Sequence, residues 1–107
     1  MNKFYLARDE KGVTNYVRNF SSDGTLINLT ANAGVVVSVP SDAYVAIFSY
    51  GASADIVVDT LAITLPTAGS SVTSTSEINP SGMIVRNIKE LHLLATADVL
   101  VKVSFYE

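Results

Sequence analysis

The sequence predicts an all-β protein: a single β-sandwich domain over residues 1–107, jelly-roll-like in its strand count. Three observations predict it. Short runs rich in Val, Ile, Thr and aromatic residues recur along the whole chain, the residue types that suit a pleated, half-buried surface. Clusters of Gly, Pro, Asn, Asp and Ser punctuate those runs at fairly regular spacing, as in sandwiches and barrels. At 107 residues the chain has the length of one domain, and a domain of that size hides roughly two-thirds of its unfolded surface. Its core therefore requires neither disulfide nor metal.

The elements follow in order. Residues 4–8 form a first strand, and Asp9-Glu10-Lys11-Gly12 a hairpin loop in which Gly supplies a positive φ. Residues 13–20 form the second strand. Ser21-Ser22-Asp23-Gly24 reads as a turn, 26–30 as a short strand, and Ala31-Asn32-Ala33-Gly34 as another turn. A β-branched run over 35–39 is stopped by Pro40. Strands follow at 43–50, 56–59 and 61–65, the last stopped by Pro66.

Residues 66–76 change texture: they are small, polar and uncharged, with Val72 the one large apolar side chain. This predicts a long surface loop, mobile or ordered by a partner. Asn79-Pro80-Ser81-Gly82 is a strong turn, 83–85 resumes a strand, and 87–91 fits either a helical turn or a strand. Leu91 to Leu94 is apolar, Thr96-Ala97-Asp98 turns, and Val99, Val101, Val103 and Phe105 alternate along a final strand. That strand is poorly protected at its edge. It is either central or paired with another subunit.

Charge is scarce. Asp, Glu, Lys and Arg make up 16% of the chain, against about 25% in typical soluble domains. The net charge of −3 argues against nucleic acid, which needs clustered Lys and Arg. No Lys or Arg occurs between Asn19 and Val85, while Asp23, Asp42, Asp55, Asp59 and Glu77 all fall there. A free monomer normally keeps its neighbours apart with interspersed charge, so part of this surface is expected to be covered. There is no cysteine, which removes disulfides and thiolate metal sites. The start Met1-Asn2-Lys3-Phe4-Tyr5 lacks a long apolar stretch, and no run approaches the roughly 20 residues of a membrane helix. The expectation is a soluble protein kept without export, with no membrane partner and no cofactor.

Catalytic apparatus is not evident. His92 is the single histidine. It alternates with Leu91 and Leu93 and should point away from them, and no nucleophile context such as G-x-S-x-G accompanies it. One His without Cys makes a transition-metal site within one chain improbable. Asp42, Asp55 and Asp59 do not have calcium-loop spacing and read as solvated turn carboxylates. Asp59 with Glu77 would be a glycosidase pair only if the fold brought them together. Asn28-Leu29-Thr30 fits a glycosylation sequon, by chance if the chain is not exported.

The apolar residues carry more. In VAIFSYGASADIVV (45–58) both parities of two neighbouring strands are apolar, whereas a half-buried strand alternates. Tyr44, Phe48 and Tyr50 share one parity, and Val45 and Ile47 the other. Either set can face the core, and the remaining one is left as an apolar stripe, the mark of an interface. Tyr44, Phe48 and Tyr50, with Phe105 and Tyr106 on the last strand, are the candidate protein–protein interface. A sugar-stacking platform is the competitor, but there is no Trp.

Phe4-Tyr5, Ala46-Ile47-Phe48-Ser49, Glu77-Ile78-Asn79-Pro80 and the closing Val101-Lys102-Val103-Ser104-Phe105-Tyr106 resemble short structural proteins of tailed bacteriophages. There, an "A-x-F-S" strand, an "x-L/I-N-P" turn and a terminal "hydrophobic-S-F-Y" strand recur over about the same length. The resemblance runs nearly end to end and is nearest to head decoration or cement proteins with jelly-roll-like folds. It implies a virion protein assembled in the host bacterial cytoplasm, with no enzymatic activity. Its partners would be the major capsid protein or another virion protein. Separately, the doubly apolar strands over 43–58 and the scarce charge predict a homo-oligomer, a dimer or trimer. The function implied is to stabilise the phage head by bridging capsid subunits through apolar sheet surfaces. The alternative is a tail or adsorption accessory module that binds host surface glycans.

Overall fold

The computed structural model of the chain describes residues 1–8, 14–61 and 76–107. Every regular element among them is a strand: β1 (Leu6–Arg8), β2 (Thr14–Arg18), β3 (Asp23–Leu29), β4 (Val35–Ser38), β5 (Val45–Tyr50), β6 (Ile56–Asp59), β7 (Glu77–Ile78), β8 (Gly82–Ile84), β9 (Glu90–Ala95) and β10 (Val99–Tyr106). The expected hairpin loop at 9–12, all but Leu61 of the expected strand at 61–65, and the 66–75 part of the polar stretch lie outside the described residues. Among the described residues no helix is long and apolar enough to cross a membrane.

Eight strands build two four-stranded antiparallel sheets, ordered β3-β10-β5-β8 and β4-β9-β6-β7. The pairing is nested. β3 pairs with β10, β4 with β9, β5 with β8 and β6 with β7, as if one long antiparallel ribbon had been wound into two layers. β10 is central, between β3 and β5, so its backbone groups are taken up on both sides. The two sheets pack into a sandwich.

Register decides which side chains meet. Ala46 lies opposite Phe105 and Phe48 opposite Val103 on β10, while Ile27 lies opposite Val101. On the second sheet Leu93 lies opposite both Val35 and Val58, and Ala95 opposite Ile56. These inward positions form one buried apolar cluster. Full burial of each such side chain is worth roughly 1.5–3 kcal/mol, so the alternating pattern of β10 locks its facing.

Two segments depart from the sequence reading. Asp23 and Gly24 belong to β3 rather than to a turn. Gly24 lies opposite Ser104, and a Cβ there would stand 3.0 Å from the Val103 carbonyl oxygen, so glycine allows the close approach. Residues 87–91 make neither a helix nor a full strand. Asn87 takes φ 64° in a turn closed by Ile88 N–H to the Val85 carbonyl, 3.0 Å, and β9 starts only at Glu90. Asn32 and Asn79 also hold positive φ, 61° and 50°, a conformation asparagine tolerates better than most residues.

β1 and β2 form a separate two-stranded sheet that joins neither layer. An isolated hairpin is marginal in water, and here side chains fasten its root. Asn19 Oδ1 accepts from Tyr5 N–H at 2.9 Å, and Asn19 Nδ2 donates to the Lys3 carbonyl at 2.6 Å. Asn2 accepts from Glu107 N–H and donates its own N–H to Ser22 Oγ. Met1 packs against the core cluster.

Candidate interaction surface

The five aromatic residues singled out from sequence do not form one exposed stripe. Phe48 and Phe105 face the sandwich core and are 5% and 2% exposed, so neither offers surface to a partner. The reason is register: the parity that carries Phe48 is the one opposite Val103. Tyr50 shares this parity, is half-buried, and donates its hydroxyl to the Pro80 carbonyl at 3.0 Å. Tyr44 precedes β5 and stays 43% exposed, with the Arg86 guanidinium 6.0 Å above its ring.

Tyr106 differs. It points outward, opposite Val45, yet is only 1% exposed. The chain's own N-terminal arm covers it. The Phe4 ring meets it edge-on, with centroids 5.2 Å apart, and its hydroxyl donates to the Asn19 carbonyl at 2.7 Å. The outward apolar parity of β5 is thus partly used within the molecule. Val45 neighbours Tyr106, and Ile47 lies across Gly82, where a Cβ would meet its Cδ1 at 2.9 Å. On β6, Val57 and the Leu94 opposite it also point outward and are buried. The second apolar face expected to await a partner is in large part already covered.

What remains open was not singled out from sequence. On the first sheet's outward face, Leu26 and Leu100 are 65% and 50% exposed, and Ile84 at its far edge is 67% exposed. Between them stands Lys102, opposite Leu26 and Ser49. Arg18 reaches over from the hairpin root, its Nη2 donating to Ser49 Oγ at 3.4 Å. A cleft of about 430 Å³ lies between root and sheet, lined by Arg18, Asn19, Phe20, Ser21, Lys102, Ser104 and Tyr106. Leu100 faces outward because Val99, Val101, Val103 and Phe105 take the inward parity of β10, and Leu26 faces outward because it lies opposite Lys102.

The other candidate groups are held apart from one another by the fold. His92 points outward, away from Leu91 and Leu93 as its place between them predicts, and its Nε2 lies 3.1 Å from Glu90 Oε1. Ser76 Oγ donates to Asp59 Oδ2 at 2.7 Å. Asp59 is buried and also accepts from Thr60 N–H at 2.6 Å, so it is not the solvated turn carboxylate expected. Glu77 lies opposite Val58, one residue from Asp59 and on the other face of the sheet, which separates the imagined glycosidase pair. Asp55 is exposed and accepts from Asn79 Nδ2 at 2.9 Å. No group of three or more His, Cys, Asp or Glu among the described residues could hold a metal.

Comparison with protein-family models, with curated proteins and with solved structures found no match. The surface itself carries the functional argument.

Proposed function

We propose that this chain is a virion structural protein, a decoration or cement protein of a tailed-phage head, and that its sandwich is a jelly roll. The nested pairing of eight strands, 3 with 10, 4 with 9, 5 with 8 and 6 with 7, supports the fold reading. That order describes two interlocked Greek keys, an arrangement recurrent in capsid and lectin domains. The observation that carries the functional reading is the set of large apolar side chains, Leu26, Leu100 and Ile84, exposed on a sheet whose other side is already core. A contiguous exposed apolar patch marks an interaction surface, and Leu26 and Leu100 are diagonal neighbours on the paired strands β3 and β10.

In this reading the protein bridges capsid subunits, acts as a homo-oligomer and performs no catalysis. Burial of apolar area contributes about 25 cal/mol per Å², of which only the surplus over association costs appears as affinity. Repetition over a symmetric lattice then adds avidity. The test is to assemble heads without the protein and add it back. Binding in stoichiometric copies that raises the heads' resistance to heat or low salt is expected. Heads that neither bind the protein nor gain resistance would refute the reading.

A further inference from the structure

The two outward faces of the sandwich carry opposite charge. On the first sheet, the outward residues of β3, β10, β5 and β8 include Lys102 and no carboxylate, and Arg18 of the hairpin root hangs over the same face. On the second sheet, the outward residues of β4, β9, β6 and β7 include Glu90 and Asp59 and no Lys or Arg. The centre of that second face is closed, since Val57, Leu94 and Asp59 are buried. Its β4–β9 side is open: Val36 is 53% exposed, and so is the Glu90 side chain.

Neither Arg18 nor Lys102 has an ion-pair partner among the described residues; the pair formed there is His92 with Glu90. Both cations line the cleft at the hairpin root, beside the exposed Leu26. Among the described outward strand residues, each face therefore lacks the charge the other has, with Lys89 lying at the start of β9 beside Glu90.

We infer that the occupant of the Arg18–Lys102 cleft is a second copy of this chain, which presents the Glu90 and Val36 side of its β4–β9 edge. The inference rests on the homo-oligomer part of the function proposed above and adds its geometry. Unlike surfaces meet, so the contact is heterologous. Such contacts close into rings or run on as open stacks, and do not give a simple two-fold dimer. Charge supplies orientation: two first-sheet faces set together would oppose Lys102 to Lys102. Apolar contact between Val36 and Leu26 supplies area without orientation. Glu90 keeps a free carboxylate oxygen for the partner while Oε1 holds His92.

Sedimentation of the free protein tests this apart from any particle. Self-association is expected to weaken strongly between about 0.01 M and about 1 M salt, as the screening length falls from roughly 30 Å to about 3 Å. Glu90→Lys, and Arg18→Glu with Lys102→Glu, should each weaken it by about tenfold or more, the scale for opposing like charges in a contact. Circular dichroism and thermal melting check that the variants fold. Mixing the two variants should restore association, because each retains the face the other lost. A chain that stays monomeric at low salt, variants that associate like the parent, or a mixture that stays apart would overturn the inference. Head binding by the same variants is a separate readout, so failure here leaves the cement reading to its own test.

Discussion

The Tyr106 hydroxyl donates a 2.7 Å hydrogen bond to the carbonyl of Asn19, 87 residues away. It joins the last strand to the root of the N-terminal hairpin, on the face of the sheet opposite the core. With the Phe4 ring edge-on to the same tyrosine, it makes Tyr106 one anchor of the arm, beside the Asn2 and Asn19 hydrogen bonds.

Tyr106→Phe should therefore loosen the arm and spare the sandwich. The lost bond is worth about 1 kcal/mol. Amide hydrogen exchange should speed up at Tyr5 and in the hairpin, while β10 and β5 keep their protection. An unchanged arm would show that Phe4 packing and the Asn2 and Asn19 hydrogen bonds hold it without the Tyr106 hydroxyl.

Phe48→Ala should cost about 3–5 kcal/mol in urea unfolding, the range for emptying a large aromatic site in a core. Phe48→Asp should abolish folding, because a carboxylate opposite Val103 would be buried without a partner. Circular dichroism distinguishes this from loss of an interface: a folded Phe48→Asp protein would contradict the inward facing of this parity.

Gly24→Ala and Gly82→Ala should differ. The new methyl at Gly24 meets a backbone carbonyl oxygen at 3.0 Å, whereas at Gly82 it meets the tip of the Ile47 side chain at 2.9 Å. Backbone cannot step aside, while a terminal methyl can rotate. Gly24→Ala is expected to cost about 1–3 kcal/mol, as overpacking does, and Gly82→Ala clearly less. Equal losses in paired denaturant titrations would contradict this ordering.

Asn79→Ala should destabilise more than Asn79→Gly. Asn79 Oδ1 accepts from Ile56 N–H at 2.9 Å, and its Nδ2 donates to Asp55 Oδ1. Both substitutions lose these bonds, but only alanine must also hold φ 50°, a left-handed conformation strained for it. Thermal melting of the two variants reads the difference.

Burial, reinforced by the Asp55 carboxylate, raises the Tyr50 phenol above its ordinary value of 10.0. The folded state holds this proton more tightly than the unfolded one. The resulting stability is complete below the ordinary value and is lost as pH rises through the folded value. Tyr50→Phe should remove that part of the alkaline decline. Identical alkaline slopes for parent and variant would rule out Tyr50 as a contributor.

The class of fold and most strand positions are legible along the chain, because β-branched runs and turn residues are local signals. The sequence also placed β10 as either central or paired with another subunit, since a long alternating strand exposes a row of unpaired backbone groups at any open edge, and it set His92 facing away from Leu91 and Leu93. Facing in β5 was a different matter. With Val45 and Ile47 on one side and Phe48 and Tyr50 on the other, hydrophobicity does not choose; cross-strand partners on β10 do. Tyr106 shows the same limit more sharply. Its burial depends on Phe4 and Asn19, about a hundred residues distant at most, and no local pattern announces that an arm folds back to cover it. The segregation of Lys102 and Arg18 from Glu90 is likewise invisible along the chain, because only register and sheet order assign those charges to opposite faces.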